Sequence, residues 1–304
     1  MNTTLLNVVL ISLAAANAPV NPVFKQLTEE GVKMSDGTSV KLPPPILPDG
    51  LDAAGQRAAL AKVAGAGNID ELVSKSYYAP TTVKVRTVKA AEGEGPAVRA
   101  IDLWFVVHGD WNTLTSKEFL ESLTAGADEG QSRVVLKSGV LTEEEIKKRH
   151  LEKVARDDYE EAFAYTTISL FERVQLSATR RTALGRDQNS ILVAAKIDPR
   201  FKDDAEYPNQ WRPLVRDERA EITPGPAHPF TNAGNYAKIT RLVEPADAAF
   251  IEAHLVYEEP YGWFDGANLV KQKASLMVRE KVRALRRKLA SADQKKETPS
   301  AEQQ

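Results

Sequence analysis

Several stretches in the middle and C-terminal parts of the chain alternate between apolar and polar residues, which is typical of half-buried β-strands. Residues 81–91 and 98–107 alternate on either side of a glycine- and proline-containing turn at 93–96, so together they predict a hairpin. Residues 133–137 predict a third, short strand.

The clearest alternation covers residues 168–178 and predicts one long strand, with Phe171 as an exception to the pattern. A turn then leads to a second alternating stretch at 191–197. Further along the chain, residues 236–243 and 248–258 predict another hairpin. The sum is about seven strands joined mostly as antiparallel hairpins.

Helical spacing of apolar residues occurs before, between and after these strands. Residues 52–75 predict one or two short helices, and residues 115–125 predict another. Thr142 and Glu145 have the spacing of a capping box, in which each side chain bonds the backbone amide of the other residue. The apolar residues behind this box predict a helix over 142–161.

The last predicted element is a long helix over about 267–290, with Asp265 or Asn268 as its candidate cap. Its apolar stripe consists of Val270, Ala274, Met277, Val278, Val282, Leu285 and Leu289. Strands in hairpins followed by such a helix predict an α+β fold, in which a mostly antiparallel, curved sheet packs against the C-terminal helix.

This order of elements resembles, at the level of the fold alone, the helix-grip proteins. In those proteins a sheet wraps around a C-terminal helix and leaves a cavity between the two, and lipid-transfer and hydrophobic-ligand-binding domains share the arrangement. A likeness of fold does not establish function. The order here also differs, through the predicted helix at 142–161 and a long loop at 199–234. A sheet with a filled core and no cavity is therefore an equal alternative.

Two segments are rich in proline and predict irregular backbone. Residues 31–51 include Pro43, Pro44, Pro45 and Pro48, which favour an extended conformation, so this segment is expected to be a linker or a strap over the domain. Residues 199–234 contain several further prolines, which predict that no regular element forms there. Long loops of this kind tend to be functional or flexible.

The N-terminus has the features of a secretory signal peptide. Residues 5–16 are apolar but too few to span a membrane, which takes roughly 20 residues. Ala16 and Ala18 mark two candidate cleavage sites, although residues 1–4 carry no Lys or Arg. We therefore expect a protein exported to the periplasm or secreted, the alternative being a buried N-terminal strand or helix.

The whole chain divides into a predicted signal peptide (1–18), a proline-rich linker or strap (19–51), one α+β domain (52–290) and a disordered tail (291–304). Its 304 residues include 40 Lys and Arg against 42 Asp and Glu, a formal net charge of -2, so no nucleic-acid partner is expected. With no cysteine, disulfides and thiolate sites are excluded. No nucleotide, metal or other cofactor motif is present, so no cofactor is predicted.

Two histidine–carboxylate pairs are candidate acid–base or metal-binding groups. His108 and Asp110 follow a predicted strand, and Glu252 and His254 share one face of the last strand because residues two apart point the same way. The first pair has no nucleophile or further ligands at a diagnostic spacing, whereas the second could form a carboxylate-rich metal or acid site together with Glu258 and Glu259. The favoured interpretation is that both are polar positions at a strand end or on a solvent-facing edge, so no catalytic residue is predicted.

Two aromatic segments have two possible roles each. Tyr261, Trp263 and Phe264 lie between the last strand and the C-terminal helix, and Trp211 lies in the proline-rich loop. Such side chains are costly to expose. They are expected either to close one end of the core or to form a gate or contact surface.

The C-terminal helix is basic along one side, and a basic amphipathic helix can bind an anionic membrane surface. The candidate contact residues of the domain, with Trp211, are Lys281, Arg283, Arg286 and Arg287. A core-packed helix with a solvated basic face is the simpler interpretation.

These observations lead to three hypotheses. The first is an exported, non-enzymatic protein that binds an apolar small molecule or lipid between the sheet and the C-terminal helix. The predicted lining and gating residues are Val174, Leu176, Val193, Ile239, His254, Val256, Tyr261, Trp263, Phe264 and Met277. The second is a structural or interaction protein of the cell envelope. The third is an enzyme that uses one of the two histidine–carboxylate pairs.

Overall fold

A computed structural model describes residues 21–64, 68–93, 95–124, 133–216, 221–264 and 269–297. The predicted signal peptide, the cap candidates Asp265 and Asn268, and the last seven residues of the predicted tail lie outside the described residues.

The strands are numbered in chain order. They are β1 (Val32–Lys33), β2 (Ser39–Val40), β3 (Thr81–Lys89), β4 (Ala97–His108), β5 (Arg133–Val140), β6 (Ala155–Arg156), β7 (Tyr159–Leu170), β8 (Val174–Arg186), β9 (Ser190–Ile197), β10 (Gln210–Arg216), β11 (Ile222–Pro224), β12 (His228–Pro229), β13 (Ala233–Arg241) and β14 (Ala248–Glu259).

The helices are short except for the second and the last. They are α1 (Pro22–Lys25), α2 (Ala53–Ala64), α3 (Ile69–Leu72), α4 (Trp111–Leu114), α5 (Lys117–Thr124), α6 (Glu143–Lys148) and α7 (Leu269–Glu297). A π-helical turn (Gln26–Glu30) follows α1, and two 3-10 turns cover Pro199–Phe201 and Tyr261–Trp263.

One large sheet dominates the fold, and its strand pairs are antiparallel. Its main path runs β3-β4-β14-β13-β9-β8, and β7 and β5 continue it beyond β8. β10 pairs with the first residues of β8, and β9 pairs with the rest of the same edge. Together with α7, this arrangement confirms the predicted α+β fold with a large antiparallel sheet and a long C-terminal helix.

The two faces of the sheet are covered by opposite ends of the chain. On the face that we call the inner face, Phe105 and Ile251 pack with Val282 and Leu289 of α7. On the outer face, residues of the N-terminal segment 21–60 pack over the same strands. The sheet is therefore the middle layer between α7 and the N-terminal segment.

The proline-rich segment lies across the outer face as a strap. The hydroxyl group of Tyr236 donates a hydrogen bond of 2.7 Å to the carbonyl oxygen of Pro43. Leu47 is fully buried against β4 and β14, beside Leu60 of α2. Because prolines cannot donate to a ladder, the strap binds the sheet through side chains and isolated backbone groups instead of adding a strand.

α7 begins at Leu269 in the described residues and ends at Glu297, seven residues past its predicted end. The predicted stripe faces the sheet, with Ala274, Val282 and Leu289 buried. Within the described part of the chain, no helix has both the length and the apolar character that crossing a bilayer requires.

The helix predicted over 142–161 is wrong beyond its first turns. The capping box of Thr142 and Glu145 forms, but α6 ends at Lys148, and Tyr159 begins the strand β7. Tyr159 and Phe163 are buried four residues apart, which imitates helical spacing. Glu161 between them is also buried on the same side and bonded to Arg181, so a charged residue in the core hid the strand period.

Two other segments also differ from the prediction. The stretch 168–178 is two strands, because the chain turns at Phe171 and Glu172, which both adopt positive φ. Phe171, the exception in the alternation, marks this turn.

The segment 199–234 also differs from the prediction. It contains β10, β11 and β12, and Pro213 lies within β10 at the margin of the sheet, where prolines are tolerated.

A glycine in β13 allows the N-terminal segment to pack closely on the outer face. A Cβ atom at Gly234 would lie 2.5 Å from Leu27 Cδ2 and 2.7 Å from Val32 Cγ2, and both neighbours are buried.

Gly234→Ala should lower the free energy of unfolding by about 1–3 kcal/mol through overpacking. Denaturant titration measures the loss. Gly109→Ala is the control, since its Cβ would make only ordinary contacts, 3.4 Å or longer; an equal loss in both variants would contradict the account.

Candidate functional site

Two rows of side chains cross the middle of the inner face, each formed by residues directly opposite one another on neighbouring strands. The first row is Leu103, Ala253, Ala237, Val193 and Leu184. The second row is Ile101, Leu255, Asn235, Ala195 and Thr182. These rows lie on interior strands of the sheet and face the same side as α7.

All of these side chains except Ala195 are only half-buried. On one side the next row is closed, since Phe105, Ile251 and Ile239 are at most 3% exposed. On the other side Ala233 and Arg180 in the next row are still half-buried, and burial to 3% or less is reached further on, at Trp263 and Val174. The side chains of the two rows therefore keep some exposure to solvent on the face that α7 covers. We call the space between these rows and α7 the inner gap.

On the outer face, the residues at the centre of β13 and β14 are more deeply buried. Tyr236 and Glu252 are fully buried, and His254 is 1% exposed. These three residues alternate along β13 and β14 with members of the two rows. The half-buried positions at the centre of β13 and β14 therefore lie on the side of the sheet that faces α7.

Two features of the chain produce the inner gap. Alanines occupy Ala237, Ala253 and Ala195 in the centre of the rows, where larger side chains would fill the space toward α7. α7 itself lies closest to β3 and β4. Small side chains and the off-centre position of the helix thus combine at the same place.

The walls of the inner gap are mainly aliphatic, with polar groups toward one side. Asn235 and Thr182 belong to the second row. Arg180, two residues before Thr182 on β8, donates a hydrogen bond of 3.2 Å to Thr166 Oγ1. An aliphatic space with a few polar groups at its margin is the usual composition of a small-molecule site.

The predicted lining residues divide between the two faces. Leu176 and Val193 are half-buried on the inner face, whereas Val174 and Ile239 belong to the closed ends of the inner gap. Met277 of α7 is half-buried. The structure places His254 and Val256 on the outer face instead, so these two do not line the gap. The sequence showed that they share a face but not which face α7 would cover.

The two aromatic segments come together as one cluster at the end of the inner gap. Trp263 and Phe264 are buried, and Trp211, 8% exposed, stacks on His228 and contacts Trp263 edge-on. These rings form part of the core, so the contact-surface role considered for Trp211 is not supported by its position. Tyr261 remains exposed beside the cluster.

Glu252 and His254 take part in a buried polar network under the strap, together with residues that the sequence did not single out. His254 Nδ1 lies 2.8 Å from Asp102 Oδ1, and Arg86 Nε donates to Asp102 Oδ2 at 2.8 Å. Glu252 accepts a hydrogen bond from the backbone amide of Ile46 at 2.9 Å. The prediction of a solvent-facing edge strand is therefore wrong for this pair: β14 lies inside the sheet, and both residues are buried.

The electrostatics of this network favour charged partners. Burial favours the neutral imidazole, but the hydrogen bond with Asp102 and the nearby Glu252 outweigh it and raise the pKa of His254. Burial also opposes ionisation of Asp102, yet bonds from His254 and Arg86 lower the pKa of this carboxyl group. His254 and Asp102 thus form a buried ion pair, and His254 keeps its proton to a higher pH than a free imidazole does.

The second histidine–carboxylate pair has a structural role at a different place. His108 Nε2 lies 3.0 Å from the carbonyl oxygen of Val73, and Asp110 caps α4 by accepting from the amide of Thr113. Asp102, the partner of His254, is six positions from His108 along β4, about 20 Å in a strand. The two pairs cannot share a substrate. Among the described residues, no group of three or more His, Asp and Glu side chains is arranged to hold a metal ion.

The basic residues predicted as a contact surface do not act as one set. Arg286 is buried and donates hydrogen bonds to the backbone carbonyl groups of Val106, Ala79 and Pro80, so it anchors α7 to the sheet edge. Burial, and then the charge of Arg283, lower the pKa of Arg286 to about 10. Arg283 and Arg287 remain exposed, whereas Lys281 is half-buried.

No protein-family model matches this sequence. No curated protein matches it either. Among solved structures, the chain is similar to the crystal structure of human STARD10, with 9% sequence identity and a TM-score of 0.36 over 83% of this chain and 87% of that chain. A likeness this distant supports no inference about function, which therefore depends on the geometry of this chain.

The sequence did not single out most of the residues around the inner gap. Ala237 and Ala253 are unremarkable in a strand, and only the cross-strand register brings them into one row. Asp102 did leave a signal, because it is the single carboxylate in the apolar stretch 98–107. A buried partner for it could have been expected on those grounds.

The polar network predicts a pH-dependent contribution to stability. The folded-state pKa of His254 is raised above 6.5, so the stabilisation by its charge is complete below that pH and is lost as pH rises through the folded-state value. His254→Gln should lower the free energy of unfolding by about 3 kcal/mol at pH 6 and by less at pH 9. Denaturant titrations across this range measure both.

His228→Gln is the matched control, since His228 is exposed and lies outside the network. It should leave the pH dependence of the wild type unchanged. If wild type and His254→Gln showed the same slope of stability against pH, the charged state assigned to His254 would be wrong.

Proposed function

We propose that this protein is a non-enzymatic binding protein that holds an apolar small molecule, such as a lipid, in the inner gap. The observation that carries the proposal is the half-burial of the two central rows between closed ends. A site of this shape and composition offers an apolar molecule removal of its surface from water, worth roughly 25 cal/mol per Å². Asn235 and Thr182 at its margin would favour a molecule with one polar end.

The enzymatic alternative receives less support. The buried His254 and its partners are covered by the strap, and His108 and Asp110 are each engaged in local structure. An interaction role in the cell envelope is also less favoured, because Trp211 and Arg286 are both buried.

We also propose that the protein acts after export, on the basis of the apolar segment 5–16 and the alanines that follow it. Native mass spectrometry of protein expressed from the full-length sequence tests this directly. A mature chain beginning at Asn17 or Pro19 would support export, and a retained Met1 would contradict it.

The binding proposal predicts that filling the inner gap abolishes binding without unfolding the protein. Ala237→Phe should weaken the affinity for the neutral fluorescent probe N-phenyl-1-naphthylamine by about tenfold or more, because the ring occupies the space of the ligand. Fluorescence titration measures this affinity. The same variant should lose less than about 1 kcal/mol of stability, since it enters open space and not a packed core.

Ala284→Phe on the exposed side of α7 is the matched control and should bind the probe like the wild type. Two results would overturn the proposal. One is a wild type that does not bind the probe. The other is an Ala237→Phe variant that is strongly destabilised, as expected for overpacking of a filled core.

A further inference from the structure

A second concave site lies on the other side of α7, outside the inner gap. It is a cleft of about 400 Å³ between α7, the start of β3, the end of α2 and the start of α3. Its charged lining residues are Arg279 and Arg283, and its neutral polar lining residues include Asn68, Thr81 and Thr82. We call it the arginine cleft. Its volume is within the usual range of small-molecule sites, roughly 300–1,000 Å³.

The positive charge of the arginine cleft is not neutralised by the described part of the chain. Neither Arg279 nor Arg283 forms an ion pair with a described carboxylate, and no acidic residue lines the cleft. Asp70, two residues beyond Asn68, is already paired with Arg57 at 2.7 Å. The concentration of positive charge is notable in a chain whose formal net charge is -2.

Two like charges lie close together on α7 at the cleft. Arg279 and Arg283 are four residues apart, a spacing at which like charges repel, and Glu280 between them does not line the cleft. The buried Arg286 lies less than one turn further along, and its lowered pKa reflects, after burial, the same positive field. A helix with exposed positions elsewhere does not need this arrangement for solubility, so an anionic group is the simplest compensating partner.

The cleft also orients its cationic groups. The guanidinium group of Arg283 lies 5.2 Å from the ring centroid of Tyr78, a cation–π contact that restrains the side chain at the mouth of the cleft. Guanidinium groups bind phosphate oxygens through paired hydrogen bonds, and Thr81 and Thr82 line the same cleft. Two arginines also match the charge of a phosphate monoester, about -2 at neutral pH.

We propose that the arginine cleft binds a phosphate group, held by Arg279 and Arg283. The group can come from a soluble phosphate ester or from a phospholipid headgroup, since both present the same oxygens. The site is separate from the inner gap and does not depend on the proposed function.

The test uses the full chain with two probes: inorganic phosphate, and phosphatidylcholine vesicles that contain phosphatidic acid. Calorimetric titration measures the first and vesicle flotation the second. Arg279→Gln combined with Arg283→Gln should weaken binding of whichever probe the wild type binds by about tenfold or more. Both side chains are exposed, so the melting temperature should stay close to that of the wild type.

Lys271→Gln combined with Lys288→Gln is the control. It removes the same charge from exposed positions of α7 that do not line the cleft, and its binding should stay within about twofold of the wild type. Binding of inorganic phosphate identifies a soluble source, and binding of the vesicles alone identifies a headgroup. The proposal is overturned if neither probe binds, or if the control loses as much affinity as the arginine variant.

Discussion

The charged groups buried between the strap and the outer face determine how the N-terminal segment meets the sheet. Lys238 Nζ donates to the carbonyl oxygen of Leu47 at 2.8 Å and lies 2.9 Å from Asp49, while Glu252 accepts from the amide of Ile46. An unpaired charge there would cost several kcal/mol. The strap can therefore lie in the one alignment that gives each charge its partner, and the network contributes specificity more than net stability.

This constraint extends through the sheet to the inner face. Side chains alternate with a period of two, so fixing Lys238 and Glu252 on the outer face also fixes Ala237 and Ala253 on the inner face. A slip of one residue would bury the alanines under the strap and turn the charges toward α7. The inner gap thus depends on polar contacts on the opposite side of the same strands.

The sequence predicts the elements whose period is unbroken and fails where a special residue interrupts it. The hairpin of β13 and β14 and the stripe of α7 are predicted because their apolar positions repeat regularly. β7 is missed because Glu161 is a buried charge, and the turn at Phe171 is missed because an apolar residue occupies a positive-φ position. The rows that line the inner gap arise from the register between distant strands, which no single stretch of sequence contains.

α7 is held to the sheet at two places along its length. In its C-terminal half, Arg286 donates hydrogen bonds to backbone carbonyl groups at the edge of the sheet, and near its beginning Val270 packs against the aromatic cluster around Trp263. Between these anchors Val278 and Leu285 pack against the core cluster of Phe105 and Ile251. Arg279 and Arg283 are exposed and belong to none of these contacts, so the charge of the arginine cleft can be changed without removing an anchor of the helix.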